Sequence, residues 1–259
     1  MSWQRKAGAV IVALVALAAV VSLVWTPYDP LQTEVVARLQ GSSPAHWMGT
    51  DQFGRDIASR VMDGARLTLT VAVGAVALSG LVGVPLGIWA GMRRGASRVV
   101  MAGADLLLAF PALLLAIVFT AVFGASIWIV VLAIGIAGIP AFVRVARAGT
   151  MQVMQRDYIL AARIAKVSGP AIAWRHVLPN IWPLVLTQVS VAVALAILAE
   201  AGLSFLGLGA PAPYASWGRM LQASQPYLAT SPHLALWPGA AIALTVLGFN
   251  LLGNADDRR

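Results

Sequence analysis

The sequence predicts an all-α polytopic membrane protein with six transmembrane helices and both termini on the cytoplasmic side, and three observations carry that reading. Of 259 residues, 59% are hydrophobic and only 11% are charged, with a mean hydropathy of +0.82, far more apolar than a soluble domain. The apolar residues gather into six stretches near the ~20 residues that a bilayer requires. Threaded across a membrane, those stretches leave 13 of the 18 lysines and arginines on one side and five on the other, the asymmetry that the positive-inside rule associates with this orientation.

The first stretch, Ala7 to Trp25, follows Arg5 and Lys6. It is longer than the apolar core of a signal peptide, and Val24-Trp25-Thr26-Pro27 lacks the small residues of a cleavage site, so residues 1–25 read as a tail and a retained first span. Residues 26–65 are polar and rich in turn formers (Pro27, Pro30, Gly41, Pro44, Gly49, Gly54) and hold five of the ten acidic residues, which makes them an external loop. Within it, Asp56 to Arg66 has the pattern of a short amphipathic helix leading into the next span.

Residues 66–254 form the transmembrane domain proper. Leu67 to Met92 is the second span, punctuated by Gly80, Gly83, Pro85, Gly87 and Gly91, the small residues that membrane helices use for close packing. Arg93, Arg94 and Arg98 mark a cytoplasmic turn. Val99 to Phe123 is the third span, kinked at Phe110-Pro111, with Asp105 expected to pair with an arginine of a cytoplasmic turn. Ile127 to Val145 is the fourth, after a tight external turn at Gly124 to Ser126. Ile181 to about Leu206 is the fifth, and its glycine- and proline-rich end, LSFLGLGAPAP, predicts a broken or re-entrant external end. Trp217 and Tyr227 in the last external loop read as interfacial aromatics. His233 to Leu252 is the sixth span, and residues 255–259 are a cytoplasmic tail.

The longest polar, basic interval between two apolar blocks runs over residues 150–180. Tyr158, Ala161, Ala162 and Ala165 share one helix face, with Arg156 and Arg163 a heptad apart on another. Ser168 followed by Pro170 predicts the N-cap of a second short helix that continues through Trp174 and His176 until Pro179 ends it. Two short helices joined at a bend, with small residues in a row, let another protein's backbone approach, and the arginines engage carboxylates or phosphates.

Other classes find little support. The net charge of +8 and pI of about 11.0 would suit a nucleic-acid binder, but the basic residues are scattered between apolar blocks, so no nucleic acid is expected. There are no cysteines, which excludes disulfides and thiolate chemistry. His46, His176 and His233 are far apart and outside any HExxH context, so no metal is expected. No GxxxxGK[ST] occurs, no Ser/His pairing stands out in the spans, and no catalytic residue is expected. A stand-alone secondary transporter or channel is the alternative, which would need internal symmetry or a chain of intramembrane ionisable groups; Glu200 is the one strong candidate.

Four blocks of residues carry a resemblance. DYILAARIAKVSGPAIAWRHVLPN resembles the EAA loop of binding-protein-dependent ABC importer permeases, the segment that docks into a groove of the cytoplasmic ATPase. HWMGTDQFGRDIASRVMDGARLTLTVAVG, from His46, and ILAEAGLSFLGLGAPAPYASWGRML, from Ile197, resemble segments of the C-type permeases of the dipeptide, oligopeptide and nickel subfamily, and PGAAIALTVLGFNLLG is similar to that subfamily's last span. The resemblance covers about four fifths of the chain. It implies a type I importer fold with cytoplasmic coupling helices, a B-type permease as heterodimeric partner, two ATP-binding subunits and an external substrate-binding protein in a lipid membrane. This chain would bind no cofactor, since ATP and Mg would sit on the ATPases. Peptides are the implied solutes, with nickel chelates or glutathione as alternatives.

The resemblance also implies site residues. Tyr158, Ala161, Ala162, Arg163, Lys166, His176 and Pro179 would couple to the ATPases. Lys166 stands where the family usually has glycine, and His176 occupies or adjoins a position usually apolar. Gly49, Thr50, Asp51, Gly54, Arg55, Asp56 and Arg60 would brace the external loop or meet an external partner. Glu200, with Gly202 and Gly207, is expected to shape the SFLGLG turn by accepting hydrogen bonds from backbone amides.

Overall fold

A computed structural model describes Trp3–Gly253 apart from Ala210 and Ala212; the tail at 255–259 lies outside the described residues. Among the described residues, ten α-helices follow one another: α1 Trp3–Val21, α2 Ile57–Met92, α3 Arg94–Leu108, α4 Ala112–Phe123, α5 Ile127–Val153, α6 Asp157–Ile164, α7 Gly169–Ile172, α8 Leu178–Phe205, α9 Trp217–Ser224 and α10 His233–Gly253. Five helical segments among the described residues are long and apolar enough to cross a membrane, six if the bent α3–α4 pair counts as one span.

The bundle is built on α2 and α5, the most extensively packed pair. Its closeness follows from residue size. A Cβ placed on Gly83, Gly87 or Gly91 would lie 2.6 Å from Phe142 Cβ, Val143 O or Thr150 Cβ of α5, so only glycine at these four-residue intervals lets the two backbones meet. Helix α8 packs on α2, α5 and α10, while α1 lies against α10 and α2. Phe142, Ile181, Ile197 and Val177 fill the core between them.

Three expected elements take a different form. Asp56 to Arg66 is not a separate helix: Asp56 caps α2, accepting from Ser59 N at 2.8 Å, and the helix runs unbroken for 36 residues, about 54 Å at 1.5 Å per residue. Nothing in residues 57–66 supplies a break, and amphipathic and apolar turns join smoothly. The third span is not one kinked helix but two, bent by 78° around residues 109–111, because Pro111 has no N–H to continue α3. Pro179 does not end a short helix. A wide π turn, Ala173–Val177, with Leu178 N bonded to Ala173 O, accommodates the proline, and helix continues from Gly169 to Phe205. Asp105 does find its arginine: Arg144 Nη2 donates to Asp105 Oδ1 at 2.7 Å.

Candidate functional site

The segment expected to couple to the ATPases hangs from the end of α5. Helix α6 starts with Asp157 in its first turn and carries Arg163 in its last, both favourable to the helix dipole. One residue anchors it: Ile159 is fully buried, and Ala162 packs beside it against the core. Everything on the far side is exposed. Tyr158, Ala161 and Ala165 face outward, and with them stand Leu160 and Ile164, the latter 75% exposed. Sequence periodicity identified the small-residue row but passed over Leu160 and Ile164, which as apolar residues read as core until burial places them.

The exit from α6 is a Schellman motif: Val167 N donates to Ala162 O at 3.0 Å and Lys166 N to Arg163 O at 2.9 Å. That geometry puts Lys166 in the left-handed region, at φ +56. The backbone at this position therefore requires the conformation that glycine adopts freely and lysine does not. The lysine side chain itself points to solvent.

Ser168 is extended and flanks α7 without a side-chain cap bond. Ile172 and Val177 then pin the second limb to the core. His176 is half-buried, and its ring lies 6.1 Å from that of Tyr158, so the two limbs of the bend touch through a tilted aromatic contact. Trp174, 72% exposed, and Arg175 project from the π turn beside them. The result is an apolar surface of small and aromatic residues with Arg156, Arg163 and Arg175 at its edges.

The GTDQFGRD segment forms a tight, internally bonded turn. Asp51 accepts from Phe53 N, Arg55 N and Arg55 Nε at 2.7–3.0 Å and lies 3.6 Å from Arg60 Nε. Asp56 accepts from Ser59 and lies 3.0 Å from His46 Nδ1. Thr50 bonds Gln40 N and the Ala37 carbonyl. Gly49 and Gly54 both have positive φ, and a Cβ on Gly54 would strike the Glu34 backbone. Thr50, Asp51, Asp56 and Arg60 are buried. Their geometry is that of a brace; Val35, Val36, Trp47 and Phe53 are among the apolar side chains exposed nearby.

At the outer end of α8, Glu200 is 1% exposed. Its partners are hydroxyls, not the backbone amides expected from sequence: Ser204 Oγ donates to Oε1 at 2.6 Å and Thr68 Oγ1 to Oε2 at 3.3 Å, and the Ser216 side chain bonds it as well. The amides of the turn are already used by another Schellman closure, Leu208 N to Leu203 O at 2.9 Å, with Gly207 at φ +82. Gly202 has only an ordinary contact, 3.9 Å from Leu113, so it is Gly218 that permits close approach, its Cβ position falling 2.5 Å from Ala201 O. Trp217 is not interfacial: it is buried, donating Nε1–H to Val61 O at 2.9 Å, whereas Tyr227 is half-buried. An indole whose one polar atom finds a backbone carbonyl belongs in a protein interior as readily as at a bilayer surface, and sequence alone does not separate the two.

An apolar groove of about 940 Å³ runs between α2 and α8, with Val84, Ile88, Val185 and Phe249 in its wall. The side chains able to hydrogen-bond along it are Arg93 and the indoles of Trp89, Trp174 and Trp182. Among the described residues, no group of histidine, aspartate and glutamate could hold a metal ion.

Residues 83–255 match the family described as binding-protein-dependent transport system inner membrane component. A glutathione transport system permease protein of Pectobacterium atrosepticum is 41% identical over 230 residues, 88% of this chain and 76% of that protein. A dipeptide transport system permease protein of Alkalihalophilus pseudofirmus is 38% identical over 248 residues, covering 95% of this chain and 82% of its own length.

Proposed function

From the premise that this chain belongs to the family of binding-protein-dependent transport system inner membrane components, we propose that it forms half of the translocation pathway of an ATP-driven importer of short peptides. As a permease component it is a multi-pass inner-membrane protein. Relatives named for dipeptide and glutathione transport support peptide-like solutes, glutathione being itself a modified tripeptide. A B-type permease completes the pathway, two ATPases supply the energy, and an external binding protein delivers the solute. Both termini are cytoplasmic in this reading, which the basic residues at Arg93, Arg94, Arg98 and across the coupling segment support.

The observation that carries the mechanism is the exposed apolar face of α6, held to the bundle through Ile159 and bordered by arginines. A surface of that kind, outside the spans and next to a basic rim, suits a protein partner. Closure of the two ATPases on ATP pulls this face; because α7 and the π turn continue directly into α8, the pull reaches the transmembrane helices without a flexible joint. The four assembled components reconstituted in vesicles should take up a labelled dipeptide only with ATP and the binding protein. Uptake of glutathione in its place would reassign the solute, and uptake by this chain alone would favour the stand-alone transporter.

A further inference from the structure

The outer end of α8 is tied down more heavily than the end of a helix requires. Beyond Phe205 the chain reverses through Gly207, passes Gly209 against Ser204, and returns as α9, which lies on α8 and α10. Ser216 caps α9, accepting from Arg219 N at 3.3 Å, and also engages Glu200. Trp217 reaches across to Val61 of α2, and its ring lies over Gly64, whose Cβ position falls 3.1 Å from Trp217 Cδ1. The Glu200 carboxyl thus joins hydroxyls of three elements: Thr68 of α2, Ser204 of α8 and the cap of α9.

We propose that Glu200 is the positioning residue of the outer mouth: its carboxyl fastens the hook formed by the turn at 206–209 and α9 to α2 and α8, so the hook travels with those helices as one body and is not a lid. The placement of the hook on the external side rests on the orientation given above. A buried carboxyl that lost its donors would be left unsatisfied, so the three hydroxyls and the carboxyl hold one another in place. The contrast lies across the outer half of the bundle. Helix α4 follows a 78° break, packs chiefly on α5, and leaves Leu113, Val118 and Val122 exposed. Freedom to move on the outer side belongs to α4, and the hook is the fixed wall against which it moves.

Because the chain has no cysteine, a single Tyr214→Cys substitution gives a unique probe between that turn and α9, where the side chain is 56% exposed. The complete importer in vesicles is labelled with a membrane-impermeant maleimide, with and without ATP plus vanadate. The expected labelling rate is the same in both states, rises about tenfold in Glu200→Ala and in Ser216→Ala as buried hydrogen bonds are lost, and returns to the parent rate in Glu200→Gln, which keeps an acceptor. Should Glu200→Ala fail to assemble, Ser216→Ala and Thr68→Val decide. Unchanged rates in these variants, or a large rate change on vanadate trapping of the parent, would overturn the proposal. Labelling of the parent only in inside-out vesicles would instead refute the orientation, leaving the variant comparison in that geometry to judge the hook.

Discussion

At residue scale, one lysine stands where the backbone suits glycine better. Lys166 occupies the left-handed position of the Schellman motif closing α6, at φ +56. Such a conformation costs an L-residue about 1–2 kcal/mol, part of which glycine gives back through its freer unfolded chain. Lys166→Gly should therefore stabilise the coupling bend by about 1 kcal/mol, read as roughly fivefold slower hydrogen exchange at the amides of residues 166 and 167. Lys166→Val, with a branched Cβ at positive φ, should speed exchange there. The departure at this position was legible in the sequence, but its energetic meaning needed the backbone angle. Trp217 and Glu200 were read less well, since both were assigned by their depth near a span end. Their actual partners, Val61 and the hydroxyls of Thr68, Ser204 and Ser216, come from segments far apart in sequence, and no local pattern encodes that meeting.

At the scale of elements, apolar stretches point to the spans because they reflect the bilayer directly, while the joints between helices are harder to read. The continuity of residues 57–92 and of 169–205 depends on what a proline or a polar turn does in context: Pro111 separates α3 from α4, whereas Pro179 passes into α8 beside a π turn. The glycines of α2 were legible as packing sites, and the structure assigns their partner as α5. Gly87→Leu places a side chain where the first carbon alone meets Val143 O at 2.6 Å, and should destabilise the α2–α5 pair by about 1–3 kcal/mol, lowering the thermal unfolding temperature of the purified protein in detergent. Gly95→Leu is the control, since a Cβ at Gly95 of α3 meets nothing within 4 Å, and it should leave unfolding unchanged.

For the whole molecule, two sets of contacts face opposite ways. Where α2 begins and α8 ends, the buried Asp51–Arg55–Arg60 brace and the Glu200 hub fix the polar loop before α2 and the turn into α9 to α2 and α8. At the opposite end, α6 exposes Leu160, Ala161, Ile164 and Ala165, and the second limb continues into α8. The proposed function requires the ATPases to dock on this exposed face. Ala162 packs inward, so the decisive substitutions are Ala161→Glu and Ala165→Glu, which add charge to the outer face without entering the core. The direct measurement is co-purification of this chain, parent and double variant, from cells that also produce the B-type permease and the ATPases. The account predicts that the ATPases accompany the parent and are lost from the variant while the second permease remains bound. ATPases recovered with the variant at the parent's level would contradict it.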